Sequence, residues 1–428
     1  MNALPTFKIP DSIKPIFQAF KASGYQCFLT GGSVRDLVLN RPVHDYDFST
    51  NANTKQIAEI CHKAKWKAIP TGVDHGTTTI VTDFGSFETT TFRSDFDHDG
   101  RHAKIKTAGV TIEEDAARRD FTVNAMYLDQ DGKLYDFHHG LQDCKNQMLR
   151  FVGKPDERII EDHLRILRLF RFSSQLGFTM EAESLRVSLK HADKLATLSR
   201  ERIGQEWIKL VKGPHRKRVF EFVCGPIGEF ISTTFGAFGE KRLLQVLHLL
   251  QSDNHWLWLV VGWKSWFEGD LVIETKNLTK AADQLALDLR LSGQDKSVLK
   301  SIACLPKVLK CDYKNIGEVL LHIEDSSYAH SQLSAKNMGN ISMNVLSSIM
   351  DARKQLHIQG PDDHKWFEIV DVWSTYQDRI DLRTPVGGDD LEKAMPDLAK
   401  NQYGTTLREI RKNFLNSPFS KEDWYQKN

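Results

Sequence analysis

Apolar and polar positions along the chain fall into two textures. Over residues 13–22 apolar side chains recur at helical spacing, and 25–30 is a short apolar run that ends in Gly31-Gly32. Residues 77–82 and 86–92 are rich in Thr, Val and Phe, as strands are. The polar stretch 95–109 reads as a loop. From about residue 156 the pattern changes to long helical periodicity, with Ile159, Leu164, Leu167 and Phe170 on one stripe and few turn signals inside each segment. The pattern predicts an α+β chain: a mixed α/β region over the first 150 residues, then a part that is nearly all α. Pro214, Gly225-Pro226 and Gly387-Gly388 mark breaks between helical subdomains, and no internal repeat is visible.

Composition narrows the class. The 428 residues are 40% hydrophobic and 26% charged, which is globular usage and long enough for several domains. With 57 Lys plus Arg against 56 Asp plus Glu, any site for a polyanion must be local. The six cysteines (Cys27, Cys61, Cys144, Cys224, Cys304, Cys311) form no Cys-x-x-Cys pair and no Cys/His cluster, so zinc is not expected, and reduced thiols fit a cytoplasmic protein. The N-terminus does not read as a signal peptide. The longest apolar run, 256–263, is far short of the roughly 20 residues needed to cross a bilayer and reads as a buried helix; no membrane partner is expected. Asn277-Leu-Thr279 matches a glycosylation sequon that a cytosolic chain would not use.

The chemistry is concentrated in Gly31-Gly-Ser-Val-Arg-Asp36 and, nine residues on, Asp45-Tyr-Asp47. A strand that ends in Gly-Gly and opens into a helix turns backbone N–H groups toward an anion, and Arg35 adds a cation one turn in. Asp45 and Asp47 stand two apart in a strand-like run, so a strand period puts both carboxylates on one face. Paired hard oxygen ligands suit Mg²⁺, and Glu88 supplies a third carboxylate if its strand lies beside theirs. A Gly-Gly pair alone is usually a turn and an Asp-x-Asp alone a solvated strand end; together at this spacing they point to phosphoryl transfer. Neither a GxxxxGK[ST] loop nor a GxGxxG fingerprint is present.

Two further clusters set charge on apolar scaffolds. In Asp115-Ala-Ala-Arg-Arg-Asp-Phe-Thr-Val-Asn-Ala125, Arg118, Arg119, Asp120 and Asn124 stand beside Phe121, Val123 and Ala125; the plainer reading is a salt-bridged turn. In Glu161-Asp-His-Leu-Arg-Ile-Leu-Arg-Leu-Phe-Arg171, Asp162, Arg165, Arg168 and Arg171 recur every three residues, which on one helix puts them on a shared face; the plainer reading is a solvated charged stripe. Cytosine and adenine present an amino donor beside a ring-nitrogen acceptor, whereas uracil and guanine present a carbonyl beside an N–H. An Asp acceptor next to an Arg donor therefore selects CTP and ATP without a template. The short basic cluster Pro214-His-Arg-Lys-Arg218 suits either an RNA backbone or an ordinary solvated helix start.

The ordered set Gly31-Gly-Ser-Val-Arg-Asp36, Asp45-Tyr-Asp47, Arg118-Arg-Asp-Phe-Thr-Val-Asn-Ala125, Asp136-Phe-His-His-Gly140, Glu161-Asp-His-Leu-Arg165 and Ser199-Arg-Glu-Arg-Ile203 resembles the bacterial class II tRNA nucleotidyltransferase and poly(A) polymerase family over residues 25–210. The resemblance implies a polymerase-β-like head (1–150) followed by an all-α neck for base selection (151–213), body (214–340) and tRNA-binding tail (341–428). It makes Asp45 and Asp47 the catalytic, metal-binding pair. Gly32 and Arg35, with Gly31 before them, would hold the triphosphate. Arg119 and Asp120, joined by Asn124, would contact nucleotide and ribose; Asp162 and Arg165 would read the base, with Arg168 and Arg171 adding contacts. Within that family, 70–77, the loop residues Asp99-Gly-Arg-His102 and the tail helix from Tyr403 to Lys412 resemble tRNA CCA-adding members, which add C, C and A from CTP and ATP. Asn40 stands where the family usually has Gly, Phe137-His-His replaces its Pro-x-Gly, and Ala103 sits where its loop often carries Pro. The alternatives are a poly(A) polymerase, a CC-adding or A-adding relative, and a catalytically silent RNA-binding protein.

Overall fold

The structure, a computed structural model, describes residues 5–72, 76–96, 104–219, 222, 363–381 and 384–418, with scattered helical positions between 280 and 347. The chain divides into two compact units, Met1–Phe230 and Ile231–Asn428. The first begins α1 (Lys14–Ala22), β1 (Cys27–Thr30), α2 (Gly32–Val38), β2 (Asp47–Thr50) and α3 (Thr54–Lys63). Then come β3 (Lys67–Gly72), β4 (Thr77–Thr82), β5 (Gly85–Thr91), β6 (Ser94–Phe96), β7 (Lys104–Lys106), α4 (Ile112–Ala117), β8 (Met126–Leu128), β9 (Leu134–Asp136) and α5 (Gly140–Lys145). Helices α6 (Pro155–Glu161), α7 (Leu164–Leu176), α8 (Ala182–Lys190) and α9 (Arg200–Val211) follow.

Seven strands form one sheet in the order β3-β4-β5-β2-β1-β8-β9, in which β2 and β5 run parallel and the other pairs antiparallel. Strand alternation sorts its faces. Leu29, Phe48 and Phe87 point to one side, where Phe17 of α1 meets Phe48 edge to face at 5.3 Å, and α3 packs on β3 and β4. Phe28, Phe92 and Tyr127 point to the other side and form a core with Val110 and Ala116. Helix α3 is announced by a capping box: the Asn53 side chain accepts from the Lys55 and Gln56 amides at 3.0 Å, and Gln56 Oε1 accepts from the Asn53 amide at 2.8 Å. Asn40 has φ 53°, the left-handed region that Asn tolerates better than other side chains.

The polar stretch 95–109 differs from the expected loop. Ser94–Phe96 and Lys104–Lys106 pair as an antiparallel ladder, because two three-residue strands need no apolar run when the backbone ladder itself satisfies their polar groups. The loop residues 99–102, the break at 225–226 and the apolar run 256–263 lie outside the described residues. In the second unit the described residues are helical apart from short turns. They include Asp363–Tyr376, Gly388–Ala394 and the tail helix Tyr403–Asn416, and Val386, Leu391 and Ile410 form a small core there. No helix among the described residues is long and apolar enough to cross a membrane. Cys27, Cys61 and Cys144 are free and buried.

Candidate active site

Three elements meet where β1 ends. Gly31 holds φ +70° between β1 and α2, a conformation that Cβ-bearing residues rarely adopt. A Cβ added there would lie 3.5 Å from Arg119 Nη1 and 4.0 Å from Asp47 Oδ2, so the turn, a cation and a carboxylate are in contact. Asp47 opens β2, with Thr30 of β1 as its register partner on one side and Glu88 of β5 on the other. The expectation that Glu88 lies beside the aspartate strand thus holds in register. Asp45 stands just before β2 and is exposed, so the strand period covers only Asp47 of the pair.

Asp47 carries the electrostatic signature of this meeting. Burial pushes its carboxyl up, the neighbouring Glu88 and Asp45 charges add to the rise, and Arg119 opposes it, with a net value of about 6. Three mutually repelling carboxylates around the start of β2 suit a divalent cation. Yet no three His, Cys, Asp or Glu side chains among the described residues are grouped closely enough to hold a metal on their own. A bound ion would take Asp45 and Asp47 from the protein and its remaining oxygens from substrate or water, the usual coordination of Mg²⁺.

Arg119 is fixed from behind. Its Nε donates to the Tyr127 hydroxyl at 2.8 Å, and its Nη2 donates to Ser49 Oγ at 3.2 Å and to Asp115 Oδ2 at 3.1 Å. Asp115, fully buried, also accepts from the Tyr127 hydroxyl at 2.6 Å and from Arg118 Nε at 2.8 Å. Burial alone would raise the Asp115 carboxyl, but Arg119, Arg118 and Tyr127 outweigh it and hold it at about 2.

A second network runs toward the helices. Arg35 forks onto Asp36 at 2.9 and 3.0 Å and donates to Asn124 Oδ1 at 2.8 Å, so its guanidinium is turned inward. Asn124 in turn donates to Asp120 Oδ1 at 3.3 Å, while Arg168 Nε and Nη2 donate to Asp120 Oδ2 at 2.9 and 2.5 Å. Burial opposes ionisation of Asp120, but Arg168 and the Phe121 amide hold it at about 2. Glu206 of α9 stands 2.8 Å from Arg171 and 3.6 Å from Arg168. Its contact with Arg171 is an ion pair without hydrogen-bond alignment, and burial draws the Arg171 guanidinium down to about 10.

Asp162 corrects the expectation of a single charged helix face. Helix α6 ends at Glu161, and Asp162 adopts an extended conformation in the break before α7. There its carboxylate accepts from the Leu164 amide at 3.1 Å and takes Arg202 of α9 on both oxygens at 3.0 and 2.9 Å. A short acid followed by a free helix amide favours a cap over continuation of the helix. Arg165 is anchored separately, donating to Glu161 Oε2 at 2.6 Å and to the Arg118 carbonyl at 2.9 Å. Asp162 and Arg165 are thus held by different partners, while Arg165, Arg168 and Arg171 do share α7.

Tyr127 and Glu206 pack behind these residues without having been marked in the sequence, and Asp115 and Arg202 stood in quoted motifs with no role of their own. The Asp115 signal is its spacing of three and four from Arg118 and Arg119. Asp136 accepts from the Gly140 and Leu141 amides at 2.8 and 2.9 Å and shapes the start of α5. Within the basic cluster 214–218, Arg216 is buried with Nη1 donating to the Gly213 carbonyl at 3.1 Å, and Arg218 donates to the Gly177 carbonyl, so the cluster is not a continuous solvated strip.

The mixed sheet with carboxylates at its Gly-Gly turn, followed by arginine-bearing helices, defines a polymerase-β-like head with a helical body. Comparison with known proteins agrees: residues 27–150 match the Poly A polymerase head domain family, and residues 177–222 match the probable RNA and SrmB-binding site of polymerase A. A CCA-adding enzyme of Staphylococcus epidermidis is 31% identical over 373 residues, 83% of this chain and 88% of that enzyme. The chain therefore belongs to the family of the CCA-adding enzymes. One from Lactobacillus helveticus is 37% identical over 249 residues, and the match spans 57% of this chain and 61% of that enzyme's length. The Bacillus stearothermophilus CCA-adding enzyme solved with CTP superposes with a TM-score of 0.62 at 21% identity, over 98% of each chain. The Thermotoga maritima enzyme solved with tRNA gives 0.62 at 16% identity, over 99% of this chain and 98% of that one. At such identities these two establish the fold.

Proposed function

We propose that the protein adds C, C and A to the 3′ end of tRNA from CTP and ATP, releasing pyrophosphate and using no nucleic-acid template. The observation that carries this reading is the in-register pairing of Asp47 with Glu88 beside the Gly31 turn and Arg119, a carboxylate edge facing a fixed cation. The 3′-hydroxyl oxygen attacks the α-phosphorus, the bond to the β-phosphate oxygen breaks, and the hydroxyl proton leaves to a nearby carboxylate or water. Asp45 and Asp47 would hold Mg²⁺, which when bound activates the attacking oxygen and neutralises the leaving phosphate. Arg119 faces the phosphate charge, with Gly31 and Gly32 allowing close approach of the backbone. Arg35 holds this turn to Asn124, and Asp120 and Arg168 couple it to α7. Asp162 offers an acceptor and Arg165 a donor to cytosine or adenine, pre-set by Arg202 and Glu161 respectively, and Arg171 lies nearly two turns further along α7. In this reading residues 1–150 are the catalytic head and 151–213 the neck. The body (214–340) and the tail (341–428) grip the tRNA, and the protein works in the cytoplasm.

The test is extension of tRNA transcripts ending at the discriminator base, at C and at CC, with CTP, ATP or both, followed by sequencing of the 3′ ends. CCA on all three is the expected result. Only CC, only A on the CC transcript, or long A tails on unrelated RNA would replace it with a narrower or different polymerase, and no extension would leave a silent RNA-binding protein.

A further inference from the structure

We infer that Arg41 is a positioning residue for the reaction: by clamping the start of the loop that carries Asp45 to the end of α7, it sets where the Asp45 carboxylate stands. The inference rests on the transfer reaction proposed above and adds what fixes Asp45, which the sheet does not. Asp47 is placed by its register with Thr30 and Glu88, but Asp45 precedes β2, and residues 41–46 belong to no helix or strand. The entry to this loop is fixed by the way α2 stops. The helix closes in a Schellman turn: Asn40 stands in the left-handed region, its amide donates to the Leu37 carbonyl at 3.1 Å, and the Arg41 amide donates to the Asp36 carbonyl at 2.8 Å. Pro42 follows, with φ locked by its ring. Four residues on stands Asp45, so at most about 14 Å of chain separates it from Arg41.

The Arg41 side chain crosses to the neck. Its Nη2 donates to the Leu176 carbonyl at 3.4 Å, and its guanidinium lies over the Phe178 ring, 5.6 Å from the centroid. Leu176 is the last residue of α7 and Gly177, at φ +75°, its C-cap, so this carbonyl belongs to a helix end that favours a cation. Phe178 is fully buried, and its carbonyl accepts from Ser173 Oγ at 2.7 Å, so the ring is a fixed surface for the guanidinium. Capping α7 does not itself require Arg41. Arg218 donates to the adjoining Gly177 carbonyl, and the His215 amide donates to the Ser174 carbonyl at 2.8 Å. What Arg41 adds, and Arg218 does not, is a tie to the chain that carries Asp45. Helix α7 also bears Arg165, Arg168 and Arg171, so the element that meets the nucleotide in the proposed reaction holds the loop that meets the metal. A ligand whose outer contacts are lost binds its metal more weakly, because the carboxylate is then free to leave the position the ion needs.

The test reads metal binding apart from turnover and apart from folding. Mn²⁺ is titrated into the full chain without RNA or nucleotide, and the free ion is followed by electron paramagnetic resonance. In Arg41→Met the dissociation constant for Mn²⁺ rises roughly tenfold, the lower end of what loss of an outer contact to a metal ligand costs, and the Mg²⁺ concentration for half-maximal nucleotide addition rises with it. Arg41→Lys, which keeps a cation for the Leu176 carbonyl, recovers most of the affinity. Arg218→Met removes the neighbouring donor at the same helix end; it lowers the melting temperature and leaves the Mn²⁺ affinity at the wild-type value. In an Asp45→Ala background Arg41→Met weakens Mn²⁺ binding no further, because the two residues act through one ligand. An unchanged Mn²⁺ affinity in Arg41→Met, an equal loss in Arg218→Met, or a full further loss in the Asp45→Ala background overturns the inference. A wild-type protein that extends no RNA overturns the reaction itself, which is a different failure.

Discussion

Asp47 and Asp115 both feel the charge of Arg119, yet their acidities are driven apart, to about 6 and about 2. The difference lies in what else surrounds each. Asp115 is enclosed by donors, two guanidiniums and a phenol, so its charge is satisfied inside the protein. Asp47 stands beside Glu88 and Asp45, whose charges outweigh the help it gets from Arg119. The surroundings of Asp115 close its charge in, and those of Asp47 leave its charge open. The two carboxylates are thereby linked through a single arginine.

The sharpest way to break this comparison is to neutralise the open end. Asp47→Asn should lower the rate of nucleotide addition on the order of a thousandfold or more, as loss of a group that acts on transition-state charge does, with the fold intact by circular dichroism. Retained activity in Asp47→Asn and in Asp45→Ala alike would remove both from the mechanism. Neutralising the enclosed end should do the reverse. Asp115→Asn leaves Arg118 and Arg119 buried without their counter-charge and should cost about 3–5 kcal/mol of stability, read as a lowered denaturant midpoint.

The pH dependence separates the same two carboxylates by sign. Asp47 is raised in the folded chain, so folding takes up a proton between about 4 and about 6, and its contribution to stability declines as pH rises through that window. Asp47→Asn should therefore match the wild type near pH 4 and exceed it above pH 6, by at most about 3 kcal/mol. Mg²⁺ should stabilise the wild type more at pH 8 than at pH 5. Asp115 is depressed, so its contribution is present above about 4 and lost as pH falls through about 2. Identical acid limbs for the wild type and Asp115→Asn in the melting temperature would contradict this assignment.

The open end was far more legible in the sequence than the enclosed one. Gly31-Gly32, Asp47 and the Thr-rich strand bearing Glu88 announce themselves because strand period and turn chemistry act within a few residues, whereas Asp45 lies just before β2, outside that period. Asp115 gives only a spacing of three and four to two arginines, which looks the same on a solvated helix as in a core. The periodicity over 162–171 is just as ambiguous: a repeat of three continues across the break at Asp162, because the cap that interrupts the helix uses the same acid that an unbroken face would display. The pairing of Ser94–Phe96 with Lys104–Lys106 was hidden by polarity, since a backbone ladder that short needs no apolar side chains.

The finest test of the comparison is Tyr127→Phe, because the Tyr127 hydroxyl touches both Asp115 and Arg119. It accepts from Arg119 Nε at 2.8 Å and donates to Asp115 Oδ2 at 2.6 Å, and the ring lies under the guanidinium at 4.9 Å. Phenylalanine keeps the ring and the cation contact and removes only the oxygen. Asp115 still pairs with Arg118 and with Arg119 Nη2, so the loss of stability should be about 1–2 kcal/mol, well below that of Asp115→Asn. Arg119 Nε then lacks its acceptor, and the guanidinium is held toward Gly31 by fewer bonds. If Arg119 acts on phosphate, the KM for CTP should rise severalfold while the KM for RNA stays put. A loss of stability with both KM values unmoved would mean that the enclosed end stabilises the sheet without aiming the arginine.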